Sequence, residues 1–141
     1  MTLPTLSRAR ALILHNGQIL LMKRNKPDTE YYALLGGKVE PGETPEEACV
    51  REVMEECGVT VELVKQIHSD QDVFEGVLNT HYIYLCTYIS GTPALSGEEL
   101  ERNTADNRYE PLWVPIEKLA DLPLQPRMHA PYILSAVETY K

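Results

Sequence analysis

Positive charge is scarce in this chain: 13 Lys and Arg stand against 21 Asp and Glu over 141 residues, a formal net charge of −8. Duplex nucleic acid wants a broad basic face, so no such partner is expected. Small anionic ligands stay open, because a bound divalent ion reverses the local sign. Cysteine is sparse as well. Cys49, Cys57 and Cys86 form no CxxC pair, and an odd count builds no disulfide framework, which fits reduced thiols and a cytoplasmic setting. No long apolar run occurs: Ala11–Met22 is cut by His15-Asn16-Gly17-Gln18, so neither a signal segment nor a membrane span is expected. Repeats, low-complexity tracts and linkers are also missing. Residues 1–141 are expected to form one domain, for which the length is ordinary.

What is present reads as alternating short elements. Residues 8–14 (RARALIL) and 18–24 (QILLMKR) flank Asn16-Gly17, a pair that tolerates the positive φ of a tight hairpin. Tyr31–Leu35, Val59–Ile67, His81–Ile89 and Tyr109–Val114 are further β-compatible runs. Asp70–Thr80 is expected to be another strand or a bent loop. Ser90–Asn107 is long, polar and acidic, a length that often goes with function. Pro115–Ala120 predicts a short helix and Pro131–Tyr140 a C-terminal one, with Ile133, Leu134 and Val137 inward. The result is an α/β (α+β) chain.

The most informative helix is predicted over Pro45–Cys57. Thr44 caps it, Pro45 suits its first position, Glu47 completes a capping box, and Gly58 follows its end. At ~100° per residue, Glu52, Glu55 and Glu56 share one face. Cys49, Val50, Val53, Met54 and Cys57 fall mostly on the other, as an apolar stripe. That acidic face is doubly unfavourable. Glu52 and Glu56 repel as an i,i+4 pair, at a cost of ~0.2–0.5 kcal/mol. Carboxylates near a helix C-terminus cost a further ~0.3–1 kcal/mol each when exposed. The glycine-rich loop Gly36-Gly37-Lys38-Val39-Glu40-Pro41-Gly42-Glu43 leads into the helix. Hard carboxylate oxygens beside such a loop suit Mg²⁺ or Mn²⁺, which complete their shells with substrate phosphates.

The spacing then becomes specific. Gly37, Glu43, Arg51, Glu52, Val53, Glu55, Glu56, Gly58 and Val59 match the Nudix box G-x5-E-x7-R-E-U-x-E-E-x-G-U at every defined position. The chain therefore resembles the Nudix hydrolases. The resemblance implies an α/β/α sandwich with a mixed central sheet and hydrolysis of a nucleoside diphosphate linked to a group X. It implies Glu52 and Glu56 as main metal ligands, Glu55 as a ligand directly or through water, and the Gly36 carbonyl in the same shell. Arg51 would pair with Glu43 and stiffen the loop. Leu35 stands where the family commonly has proline, which bears on loop stiffness more than on ligation.

The resemblance leaves the general base open between a box glutamate and a distal one. Glu98 and Glu99 are the distal candidates, with Glu101 and Glu110 behind them, and Glu99 is preferred. Arg24 and Lys38 are the expected phosphate contacts. Tyr31, Tyr32 and Tyr82 could stack on a base, although strand tyrosines more often pack in a core. The four histidines show no metal-ligand spacing.

Phe74 stands where ADP-ribose pyrophosphatases carry proline, and Glu75–Val77 where dinucleoside polyphosphate hydrolases carry tyrosine. A nucleoside triphosphate or oxidised nucleotide is thus the leading substrate class, with ADP-ribose-like substrates as an alternative. A catalytically silent nucleotide sensor and an isopentenyl diphosphate isomerase are competing readings, and a homodimer is compatible with the family.

Overall fold

A computed structural model describes residues 2–141, leaving aside the side chains of residues 98 and 99. The chain runs β1 (Thr5–His15), β2 (Gln18–Lys26), β3 (Thr29–Ala33), β4 (Leu35–Lys38), α1 (Pro45–Cys57), β5 (Thr60–Phe74), β6 (Val77–Ser90), α2 (Gly97–Arg102), β7 (Arg108–Pro115) and α3 (Ala130–Tyr140). One mixed sheet of seven strands holds the chain together. β1 pairs parallel with β6, and the other pairings are antiparallel.

β1 is a central strand with both faces covered, and its residues alternate between two cores. Ala9, Ala11 and Ile13 pack with Ala48, Cys49 and Val53 of α1. Leu12 packs on the opposite side with Ile133 and Val137 of α3. Leu20 and Leu21 of β2 divide in the same way, as do Tyr84 and Ile83 of β6. Helices on both faces of a mixed sheet make the α/β/α sandwich that the resemblance implied.

The sheet splits between β1 and β2. β1 and β2 pair only beside their turn, Leu14 with Ile19 and His15 with Gln18. Asn16 and Gly17 take φ of 51° and 74° there, as a tight hairpin requires. Beyond that point the strands diverge. The segment from β3 to β4 fills the fork, with β3 on β2 from Met22 to Lys26 and β4 on β1 from Arg8 to Ala11. The single short strand expected over Tyr31–Leu35 is therefore two strands with different partners.

Other boundaries move for physical reasons. Asp70–Thr80 is neither a separate strand nor a loop: it is the tip of one long β5–β6 hairpin, turning at Glu75 and Gly76 with φ of 51° and 77°. The Pro115–Ala120 helix is a 3₁₀ turn over Ile116–Asp121. Met54, assigned to the apolar stripe, is 43% exposed, and its place is taken by Ala48. Among the described residues, no helix is long and apolar enough to cross a membrane.

Gly36 is where β4 meets β1 most closely. Its φ is +149°, and a Cβ there would lie 2.0 Å from the Ala9 carbonyl oxygen. Gly36→Ala is expected to cost about 3 kcal/mol, combining a strained φ with an overpacked backbone contact. A urea unfolding curve would show this as a lowered midpoint.

Candidate functional site

The site begins with the α1 helix and its two flanking loops. Thr44 Oγ1 accepts from the Glu47 amide at 3.1 Å, and Glu47 Oε1 accepts from the Thr44 amide at 2.9 Å. This reciprocal box fixes where the helix starts. At the other end, Gly58 takes φ of 74° and its N–H donates to the Met54 carbonyl at 2.8 Å. The segment before α2 then folds over the helix end. The Ser96 hydroxyl donates to the Glu55 carbonyl at 2.6 Å, the Ser96 amide to Glu56 at 2.9 Å, and the Ala94 amide to Cys57 at 3.1 Å. These donors satisfy carbonyls that a helix end otherwise leaves open. They also tether the long acidic loop, which carries α2, to the end of α1.

Arg51 is the hub of the site. Its Nε and Nη2 donate to the two Glu43 carboxylate oxygens at 2.6 and 2.9 Å, a bidentate pair. Nη2 also donates to the Lys38 carbonyl at 3.0 Å. Nη1 reaches Glu52 at 3.0 Å and Glu55 at 2.9 Å. Loop and helix are thereby locked through one guanidinium. The Arg51 bond, the largest influence, holds the Glu43 carboxyl below its ordinary value despite opposing burial.

The three helix glutamates occupy different environments. Glu55 is the outermost, its side chain 56% exposed and turned to Arg51. Glu52 is 17% exposed and lies against Gly37, where a Cβ would come within 2.7 to 2.9 Å of its carboxylate. Only glycine at 37 leaves that carboxylate its room. Burial pushes the Glu52 pKa up, while Arg51 pulls against it and the net direction stays upward. Glu56 is almost fully buried, 5% exposed, and lines a cavity of about 690 Å³ together with Gly36.

That cavity opens at the fork between β1 and β2. Arg24 lines it, donating to Tyr31 Oη at 3.2 Å and Asn107 Oδ1 at 2.9 Å while stacking over Tyr109 at 3.7 Å. Tyr31 also lines it, whereas Tyr32 is buried and Tyr82 packs against the α1-side core. Lys38 is exposed and does not line the cavity. The Glu99 side chain, like that of Glu98, lies outside the described residues. Arg8, Arg10 and Arg127 line the cavity too, joined by Asp72 and His81, and sequence reasoning missed all five. The signal available was Arg8-Ala9-Arg10-Ala11, charge alternating with alanine in a strand that turns out to be central.

Hard carboxylate oxygens, a carbonyl at Gly36 and a desolvated Glu52 form a donor set that fits a small divalent cation. Among the described residues, no three His, Cys, Asp or Glu side chains converge into a cage for an ion. An ion held here would draw its remaining ligands from water and phosphate oxygens, as Mg²⁺ usually does.

The model of the NUDIX domain matches residues 5–134. This chain belongs to the NUDIX family. An "Oxidized purine nucleoside triphosphate hydrolase" of Danio rerio is 32% identical over 112 residues, covering 77% of this chain and 65% of that protein. An "NAD-capped RNA hydrolase NudC" of Escherichia coli is 34% identical over 88 residues, 62% of this chain but 34% of its own length. The chain thus spans between a third and two thirds of these curated relatives. The crystal structure of a MutT NUDIX hydrolase from Burkholderia pseudomallei superposes with a TM-score of 0.70 at 28% identity, over 94% of this chain and 98% of that one.

The Glu43–Arg51 pair makes acid stability testable. A depressed folded-state pKa adds stability that is full above the ordinary value of 4.5 and is lost as pH falls from there through the folded pKa. Glu43→Gln is expected to flatten the pH dependence of the melting temperature below about pH 4.5. Arg51→Met is expected to cost about 3 kcal/mol at neutral pH, since it strands partly buried carboxylates. Thermal melts from pH 3 to 8 read both.

Proposed function

We propose that this protein is a divalent-metal-dependent pyrophosphohydrolase, acting on a nucleoside diphosphate linked to X, with nucleoside triphosphates or oxidised nucleotides as the leading class. One observation carries the reading: the buried Glu56 carboxylate of α1, with Glu52 and Glu55 on the same helix face, borders a cavity lined by arginines. The similarity to the Danio rerio hydrolase supports the nucleotide class. Residues 1–141 are taken as one functional domain, and three free cysteines suit a reducing compartment such as the cytoplasm.

In this reading Glu52, Glu56 and the Gly36 carbonyl would hold Mg²⁺ or Mn²⁺, with Glu55 contributing directly or through water. The ion supplies charge neutralisation of the diphosphate and a more acidic bound water. The protein's own residues do the rest. Arg51 and Glu43 hold the loop rigid, so that the glutamates need little reorganisation on binding. Arg24, braced by Tyr31, Asn107 and Tyr109, orients phosphate oxygens, and Lys38 adds charge at the loop. Proton removal from the attacking water falls to a carboxylate, Glu99 on the tethered loop or a helix glutamate.

The test is a panel of canonical and oxidised nucleoside triphosphates with Mg²⁺ or Mn²⁺, following phosphate and pyrophosphate release. Glu56→Gln is expected to lower kcat by about 10³-fold, the loss that several kcal/mol of transition-state stabilisation represents, while its circular dichroism stays unchanged. Full activity in that variant would refute the assignment of the ion to this face.

A further inference from the structure

Arginines lacking carboxylate partners are concentrated in one place. Arg8, Arg10, Arg24 and Arg127 all line the cavity. Among the described residues, none of the four has a carboxylate oxygen within 4.0 Å. This occurs in a chain with eight more acidic than basic groups, where Arg51 alone engages four glutamates. Arg24 has its own hydrogen bonds and ring stack, described above. Arg8 has only a long bond from Nε to Asn79 Oδ1 at 3.4 Å. Among the described residues Arg10 has none, and its Nε is buried without a partner.

Arg8 and Arg10 lie on the same face of β1, two residues apart, a separation of roughly 6.6 Å. Burial, and then Arg8, lower the Arg10 pKa, with Glu56 and Asp72 pulling the other way. Both carboxylates line the cavity, but Asp72 Oδ1 is already engaged by the nearly buried His81 Nε2 at 3.2 Å. Two neighbouring half-buried guanidiniums, one with its Nε buried and unpartnered, repel each other unless an anion joins them.

Their position along β1 decides which anion. Arg10 pairs in register with Gly36 and Arg8 with Lys38 on one side; Arg8 pairs with His81 on the other. Arg10 therefore adjoins the proposed ion site, and Arg8 lies one further step along the strand. The helix glutamates can hold phosphate only through a cation, whereas guanidiniums grip phosphate oxygens directly. An uncharged X would leave both arginines unmatched.

We propose that Arg8 and Arg10 form an anion subsite for X, which selects substrates whose X is itself negatively charged, a phosphate or polyphosphate, over those whose X is a neutral sugar. This rests on the pyrophosphohydrolase reading and narrows its substrate class.

The test compares a nucleoside triphosphate with a nucleoside diphosphate-sugar of the same base. The double variant Arg8→Met/Arg10→Met is expected to lose about 100-fold in kcat/KM on the triphosphate, the value of two charge-assisted contacts, and under about 3-fold on the sugar. Equal losses on both substrates, or a wild type that prefers the sugar, would overturn it. A second measurement needs neither metal nor turnover: calorimetric binding of inorganic triphosphate in EDTA. Wild type and Glu56→Gln are expected to bind, Arg8→Lys/Arg10→Lys to bind more weakly, and the double Met variant not to bind. Triphosphate binding that survives in a folded double Met variant would refute the subsite. If the wild type cleaves nothing in the panel, the hydrolase reading falls, and triphosphate binding alone decides the subsite.

Discussion

Everything at this site is referred to the guanidinium of Arg51. Its five N–H donors meet two oxygens of Glu43, one each of Glu52 and Glu55, and the Lys38 carbonyl. A lysine would bring one point charge to the same place and could not span that fan. Because Glu43 precedes the helix and Lys38 closes β4, one side chain fixes the helix relative to the sheet edge. The Glu52 carboxylate can then rest on Gly37 at a distance that tolerates no Cβ. Precision at the acidic face is inherited from this ion-pair network rather than from hydrophobic packing.

The acidic helix end finds its compensation in two forms. Its main-chain carbonyls are satisfied by Ser96 and Ala94, so the partial negative charge at the terminus is already met by N–H and O–H donors. The Glu52 and Glu55 side-chain charges are met by Arg51. The inner carboxylates, Glu52 against the loop and Glu56 at the cavity wall, are the ones drawn out of water, and a cation bound there, as proposed, would offset that desolvation.

Much of this was legible in the sequence because it rests on local chemistry. The extent of α1 follows from Thr44, Pro45, Glu47 and Gly58, each acting within a few residues of itself. The β1–β2 turn follows from Asn16-Gly17 in the same way. The cavity wall was not legible, since Arg8, Asp72 and His81 meet only through pairings between distant strands and Arg127 joins them from a 3₁₀ turn far along the chain. Arg8 faces His81 across the parallel β1–β6 ladder, a register that no short motif encodes. Met54 was misplaced because an ideal helical wheel treats the stripe as symmetric, while the sheet covers only the side carrying Ala48, Cys49 and Val53. The strand break between β3 and β4 depends on two different partners and leaves little trace in Tyr31–Leu35.

The fork between β1 and β2 separates two tasks within one small sheet. Those strands pair only beside their turn, and the segment from 27 to 35 fills the gap between them. Thr29, Tyr31, Ala33 and Leu34 of that segment line the cavity, whereas Glu52, Glu55 and Glu56 are carried by α1, so the two walls are built by separate stretches of chain. Under the proposed function, changes in this segment would alter which nucleotide fits while the helix carboxylates keep their own support from Arg51.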